Sequence, residues 1–408
     1  MTKKNISVVI GSAYGDEGKG LFTDYLTSLP ENKDSVVVRF NGGAQAGHTV
    51  TTPDNKRHVF GSLTSGSFND KPSFLSSFFV FNPLIFMKER AEFESKSICP
   101  PVYINGKSYL STPFDMILNQ LVEIKRGNAN HGSCGLGFGE SIQRCENNKY
   151  TTCVSMLKDI KLLKYQISLI QKEYLLVRAQ ELQVAEMLNE YSFMFTDSFK
   201  EKFIGDYLQV ATQINIVDDV LPPNENLVFE GAQGLLLDQN LGFFPHVTRS
   251  NTGLKNVVQL VLEDNKNGNT TDEINIIYAT RCYTTRHGAG PLKNALNDKA
   301  YPDIIDNTNS PNQFQGTLRF SYIDLDILKD TIKRDIKLSN IEKHFKFNYK
   351  IGISCLDQTK IVKFYENNIL KQLTSYEFAK YVKNKLQVDV LTSYSPTREK
   401  ITLLSKSF

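Results

Sequence analysis

The feature that most constrains this chain lies near its N-terminus. A β-branched run at 6–10 ends in glycine, as a strand buried on both faces does. A glycine-rich turn follows, Gly15-Asp16-Glu17-Gly18-Lys19-Gly20, and a helical pattern at 21–29 is closed by Pro30. Strand, glycine turn and helix in that order open a parallel α/β unit. The turn also carries chemistry. Glycines let backbone N–H groups approach phosphate oxygens, and the helix N-terminus adds a favourable dipole. Lys19 supplies a point charge for a phosphate. The standard phosphate loop places Ser or Thr after its lysine; here Gly20 stands there, so the turn reads as a shortened relative.

The rest of the chain extends this pattern. A second strand at 35–40 runs into Asn41-Gly42-Gly43. The apolar window 74–87 reads as a buried strand and a following helix start. Further buried strands are expected at 76–81, 226–229, 274–278, 349–353 and 388–391. Strands spaced by helical segments predict an α/β fold with a mainly parallel central sheet flanked by helices. The stretch 151–220 differs: Met156, Leu157, Ile160, Leu163 and Ile167 recur at helical spacing among charges. No internal repeat or low-complexity linker interrupts the chain. It therefore reads as a single domain over 1–408 with a mostly helical insertion around 110–220.

Composition narrows the partners. With 47 Lys and Arg against 44 Asp and Glu the net charge is +3, far from the basic excess that marks nucleic-acid binders. Cys99, Cys134, Cys145, Cys153, Cys282 and Cys355 form no CxxC pair and no zinc spacing. They read as reduced thiols of a cytoplasmic protein. The apolar stretches are too short for a signal-peptide core or a membrane span, so no membrane partner is expected.

Several blocks resemble the adenylosuccinate synthetase family. Tyr14 and the following GDEGKG are similar to that family's GDEGKGK loop. Asn41-Gly42-Gly43-Ala44-Gln45-Ala46-Gly47-His48-Thr49 resembles a glycine pair followed by NAGHT. Phe229-Glu230-Gly231-Ala232-Gln233-Gly234 with Leu236-Leu237-Asp238 is similar to FEGAQGTLLD. Pro245, Val247-Thr248 and Ser250-Asn251-Thr252 resemble PYVTSSNT, and Thr285-Arg286-His287-Gly288-Ala289-Gly290-Pro291 resembles TRVGAGP. The blocks fall in the family's order over most of the chain.

The resemblance implies a phosphate-loop, GTPase-related fold and a ligase reaction. A nucleoside triphosphate, GTP or ATP, phosphorylates the 6-oxo group of IMP, and L-aspartate displaces the phosphate. By residue-by-residue carry-over, Asp16 is the base for the ring N1 proton and His48 donates to the developing 6-oxyanion or to the γ-phosphate. Asp16 and the Gly47 carbonyl would ligate Mg2+. Gly15, Glu17, Gly18, Lys19 and Gly20, with Asp357 and Ser393, would hold the triphosphate. Gln45, Ser133, Cys134, Gln233, Thr248 and His287 would hold the acceptor nucleotide. Thr317 and Arg319 would hold the amine. The family association is a homodimer with the active site near the interface.

Departures from the family touch specificity. Leu21 replaces the last lysine of GDEGKGK, and Gln45 replaces an asparagine. Cys134 replaces a phosphate-binding threonine, and a thiol is a weak donor. Arg144 is the nearest match to the arginine that a neighbouring subunit lends to the nucleotide phosphate. The arginine-rich aspartate loop before TGWLD corresponds to 313–324, where Arg319 alone remains. A dicarboxylate normally calls for bidentate guanidinium partners. The guanine-reading TKLD and STGPDR become Ser354-Cys355-Leu356-Asp357 and Ser393-Tyr394-Ser395-Pro396-Thr397-Arg398. These changes leave room for ATP as donor, for a guanine nucleotide (dGMP or GMP) as acceptor, for another amine, or for a catalytically silent nucleotide-binding relative. Retention of Asp16 favours IMP.

Overall fold

The structure, a computed structural model, describes residues 2–127, 132–306 and 317–405. Segment 313–316 of the stretch matched to the aspartate loop lies outside them. A ten-stranded sheet organises the molecule. Its strands run, edge to edge, Ile401–Leu404, Asp389–Ser393, Lys346–Ser354, Glu273–Arg281, Asn5–Gly11, Asn226–Gly234, Val36–Arg39, Ser73–Leu75, Val102–Asn105 and Asn215–Val217. Every neighbouring pair is parallel except the antiparallel edge made by Ile401–Leu404. The expected α/β class with a mainly parallel sheet is borne out.

Strand Asn5–Gly11 sits at the centre because its side chains are apolar on both faces. Ile6, Val8 and Ile10 pack on one side with Phe229, Ile276 and Val257 of helix Leu254–Lys266. Val9 faces the other side, against Phe22 and Leu26 of helix Lys19–Ser28. A fully buried Phe22 contributes about 2–3 kcal/mol by area. Helix Lys19–Ser28 begins two residues before the predicted 21–29, directly after Gly18, whose φ of +87° is left-handed. A Cβ there would also come within 3.1 Å of the Ser354 side chain, so this position is suited to glycine.

One expected strand is corrected. The segment 76–81 is mostly a turn, closed by the Phe79 N–H on the Ser76 carbonyl at 3.0 Å. Strand Ser73–Leu75 precedes it, and Val80–Phe81 with helix Pro83–Glu94 follow. Phe74, Phe79 and Phe81 are all buried, so apolarity runs through the turn and hides it. The Asn82 side chain then caps the helix by accepting from the Ile85 N–H at 3.2 Å.

Between 110 and 220 lie helices Pro113–Arg126, Phe138–Cys145, Ile160–Leu169, Leu175–Glu181 and Asp197–Ala211. They share a core that includes Phe114, Leu118, Ile167, Leu175 and Phe203. The short strand Asn215–Val217 then returns to the edge of the main sheet. A four-stranded sheet of Tyr283–Arg286, Arg319–Asp324, Ile361–Glu366 and Ile369–Thr374 stands apart from it. Among the described residues no helix is long and apolar enough to cross a membrane.

Because the strands run parallel, the loops after Gly11, Arg39, Gly234, Arg281, Ser354 and Ser393 all leave the same edge of the sheet. That carboxyl edge is where ligands bind in open α/β sheets.

Candidate active site

Two cavities open at this edge, of about 650 and 570 Å³. Each is large enough for a nucleotide-sized ligand. They share a wall made by Asp16, Lys19, Gly47 and His48. The first cavity also takes Glu17, Gly18, Gly20 and Asp357. The second takes Gly15, Gln45 and Gln233, then Ser133, Cys134, Thr248 and His287.

Asp16 projects from the loop in a left-handed conformation, φ +58°. Its Oδ2 lies 3.2 Å from His287 Nε2, and its backbone carbonyl accepts from Arg281 Nε. Burial pushes the Asp16 carboxyl up, but the His287 contact and the Arg281 and Lys19 charges outweigh it, so the group stays ionised below its usual range. Glu17 turns inward instead. Its carboxylate accepts from the Ala13 N–H and, at 3.2 Å, from the Gly15 N–H, and burial pushes it up to about 7. Glu17 thus ties the loop's own backbone. Burial lowers the Lys19 ammonium, opposed by Glu17, Asp16 and Glu230.

His48 opens strand His48–Thr51 with Nδ1 2.8 Å from Glu230 Oε1, and both side chains are buried. Burial holds the imidazole down to about 4 despite Glu230. Glu230 is pushed up by burial, but His48 and the fully buried Arg39 outweigh that and hold it at about 2. The pair therefore rests as a carboxylate beside a neutral imidazole. The His48–Glu230 contact is close without hydrogen-bond alignment, and His48 Nε2 and Gln45 Nε2 are buried with no hydrogen-bond partner among the described residues. Buried polar atoms left without partners at a cavity wall mark places where a ligand completes the bonding.

Three expected site residues stand away from the cavities. Ser393 is buried and donates to the Ser395 carbonyl at 2.7 Å, while Ser395 and Pro396 line the first cavity in its place. Thr317 is exposed. Arg319 donates through Nη2 to the carbonyls of Gly288 and Gly290, at 2.6 and 3.0 Å, and so braces the loop behind His287. Arg144 is corrected outright as a residue lent to a neighbour. It is fully buried, gives Nε and Nη2 to Asp115 at 2.8 Å each, and spends Nη1 on Tyr150 and Thr152.

Sequence reasoning missed Glu230, Arg39 and Arg281. Each is a charge within or ending an apolar strand, as in Val36–Arg39, and a charge in such a place requires a partner. That signal was legible; the identity of the partners was not.

Comparison with known proteins identifies the family. The family model described as adenylosuccinate synthetase matches residues 8–341. The adenylosuccinate synthetase of Clostridium botulinum (strain Alaska E43 / Type E3) is 31% identical over 335 residues, covering 79% of this chain and 73% of the relative. That of Clostridium novyi (strain NT) is 30% identical over 380 residues, covering 91% and 81%. The fully ligated adenylosuccinate synthetase of Plasmodium falciparum superposes with a TM-score of 0.72 at 18% identity, over 99% of this chain and 100% of that one. The succinoaminodeoxyadenylate synthetase (PurZ) of cyanophage S-2L, bound to dGMP and dATP, gives 0.59 at 12% identity, over 100% and 96%. At these identities the two structures speak for the fold alone. The family match, the relatives and the shared fold together place the chain in the adenylosuccinate synthetase family of purine-nucleotide ligases.

Proposed function

We propose that the first cavity takes the nucleoside triphosphate, GTP or ATP, and the second takes IMP, so that the γ-phosphate crosses the shared wall to the 6-oxo oxygen. L-Aspartate then attacks C6 and phosphate leaves. The observation that carries this reading is the wall itself: a carboxylate, an ammonium and an imidazole stand between two nucleotide-sized cavities.

A lactam oxygen is a poor nucleophile until N1 loses its proton. Asp16, ionised and at the wall, accepts that proton. Nε2 of His48 is left without a protein partner among the described residues. To donate to the 6-oxyanion the resting neutral imidazole must first take up a second proton, which the negative charge of the two bound nucleotides favours, and Glu230 beside Nδ1 stabilises the imidazolium so formed. Lys19 and the N-terminus of helix Lys19–Ser28 offset the triphosphate's charge. Gln45 Nε2 has a donor to spare for the acceptor nucleotide. In the phosphorylation step the γ-phosphorus–oxygen bond to the diphosphate breaks as the bond to O6 forms.

Mg2+ fits this wall. The described residues hold no cluster of three or more His, Cys, Asp or Glu. The protein would therefore offer the Asp16 carboxylate and the Gly47 carbonyl and leave the remaining positions to phosphate oxygens and water, as Mg2+ prefers. When bound, the ion supplies neutralisation of the phosphate charge. The chain works as a homodimer on this reading, with its amine site completed by residues beyond Arg319.

The test crosses IMP, GMP, dGMP and XMP with aspartate and other amino acids, using GTP or ATP, and identifies products by mass spectrometry. IMP with aspartate is expected to give adenylosuccinate, and Asp16→Asn to lower kcat at least about 100-fold. Absence of phosphate release dependent on any purine monophosphate sinks the ligase reading. Adduct formation with dGMP in preference to IMP replaces the acceptor.

A further inference from the structure

A purine monophosphate brings a phosphate dianion into the second cavity, and a dianion in a partly enclosed site needs charged donors. Arg144 cannot serve, because every nitrogen of its guanidinium is already spent inside the fold. Among the described residues four other cations, Lys19, Arg126, Arg249 and Arg286, line the cavity. Lys19 stands at the wall toward the triphosphate. Arg286 lies over the Tyr14 ring at 4.4 Å and is held by the carbonyls of Pro291 and His246 at 2.6 and 3.2 Å. Arg126 ends helix Pro113–Arg126 and pairs with Glu123 on its own helix at 2.6 Å.

Arg249 differs from these. It directly follows Thr248, and its stem runs beside the first turn of helix Phe138–Cys145: a Cβ on Gly139 would lie 3.9 Å from Arg249 Cδ. That helix starts after Gly137, left-handed at φ +73°, with no side-chain cap on its first turn. Phe138, Gly139 and Glu140 of that first turn line the cavity together with Arg249, Thr248 and Cys134. The guanidinium rests on Gln143 Oε1 at 2.5 Å and Glu146 Oε2 at 2.7 Å. Arg249 and Glu146 are both substantially exposed, and an exposed pair of this kind holds the guanidinium weakly.

The sequence pattern points the same way. Arg249 stands where the PYVTSSNT block has serine, and Cys134 stands where a phosphate-binding threonine is expected. One position loses a hydroxyl donor while another at the same cavity gains a guanidinium. We infer that Arg249 is the cation that grips the acceptor's phosphate, supplied from the same chain as Thr248, and that it leaves Glu146 to do so. This rests on the second cavity being the acceptor nucleotide's site.

Binding of IMP and of inosine, measured by calorimetry on the full-length protein and on Arg249→Gln and Arg249→Lys, tests it. The glutamine variant is expected to bind IMP about ten- to hundredfold more weakly, the scale of a charged hydrogen-bonding partner. Inosine affinity stays within about twofold, so the preference for nucleotide over nucleoside collapses. Lysine restores part of that preference, because it keeps the charge and loses the planar fork. In turnover the loss appears in KM for IMP, not in KM for the triphosphate. Unchanged IMP affinity in Arg249→Gln overturns the assignment while the cavity reading stands. Equal loss of IMP and inosine also overturns it, since that signals a damaged cavity. A native protein that binds neither IMP nor any other purine monophosphate overturns the cavity reading itself.

Discussion

Replacing Glu230 by glutamine removes one charge and little volume from the most buried part of the site. The carboxylate lies 2.8 Å from His48 Nδ1, its other oxygen accepts from the Ser65 N–H at 3.2 Å, and Arg39 stands nearby. Unit charges about 4 Å apart at an effective dielectric constant of about 20 interact by about 4 kcal/mol. An amide retains part of that as a dipole, leaving about 2–3 kcal/mol, or roughly 30- to 150-fold in rate. Positive charge on His48 matters as the 6-oxyanion develops, so the loss belongs in kcat. Steady-state phosphate release, with both nucleotides varied, reads it: kcat falls by that factor while KM for the triphosphate holds within about threefold. A circular-dichroism melt establishes that the variant is folded, because Arg39 also loses its counter-charge. A folded Glu230→Gln with kcat within threefold of the native protein refutes the pairing of these residues in catalysis.

Arg144→Ala is expected to destabilise the fold by about 3–5 kcal/mol in urea titration, because Asp115 is left buried and unpaired; a loss under 1 kcal/mol contradicts the buried network. Asp335 accepts from the Leu254 N–H at 3.0 Å and the Tyr278 hydroxyl at 2.8 Å, and burial raises its carboxyl to about 7. A carboxyl raised in the fold binds its proton more tightly there than in the unfolded chain. It therefore adds stability as pH falls from about 7 toward its ordinary range and withdraws it above 7. The difference in Tm between native protein and Asp335→Asn should shift in favour of the native protein between pH 8 and pH 5; a constant difference contradicts the raised value. Chelation is expected to abolish turnover and added Mg2+ to restore it; full activity in excess chelator removes the metal from the reaction.

The run 6–10 is apolar except at Ser7, with three successive apolar residues at 8–10, as a strand buried on both faces has, so the parallel sheet and the following phosphate turn were legible locally. Glycine at 15, 18 and 20 around Asp16 and Lys19 announced the same chemistry, because a left-handed turn and a close backbone approach each exclude side chains. The turn at 76–79 was not legible, since Phe79 is buried like Phe74 and Phe81 in the strands beside it. Nor could spacing tell that Arg144 is consumed by Asp115, or that Arg319 braces Gly288 and Gly290, because an arginine's role depends on which oxygens the fold brings to its nitrogens. The pairing of His48 with Glu230 joins residues far apart in the chain, because Glu230 lies within strand Asn226–Gly234 and His48 follows the loop that leaves the adjacent parallel strand Val36–Arg39. Local pattern settled which segments could form the sheet and which loop could hold phosphate. Tertiary structure alone decided which charges are spent on the fold and which are left facing the two cavities, because that depends on distances of a few ångströms between elements that the sequence does not order.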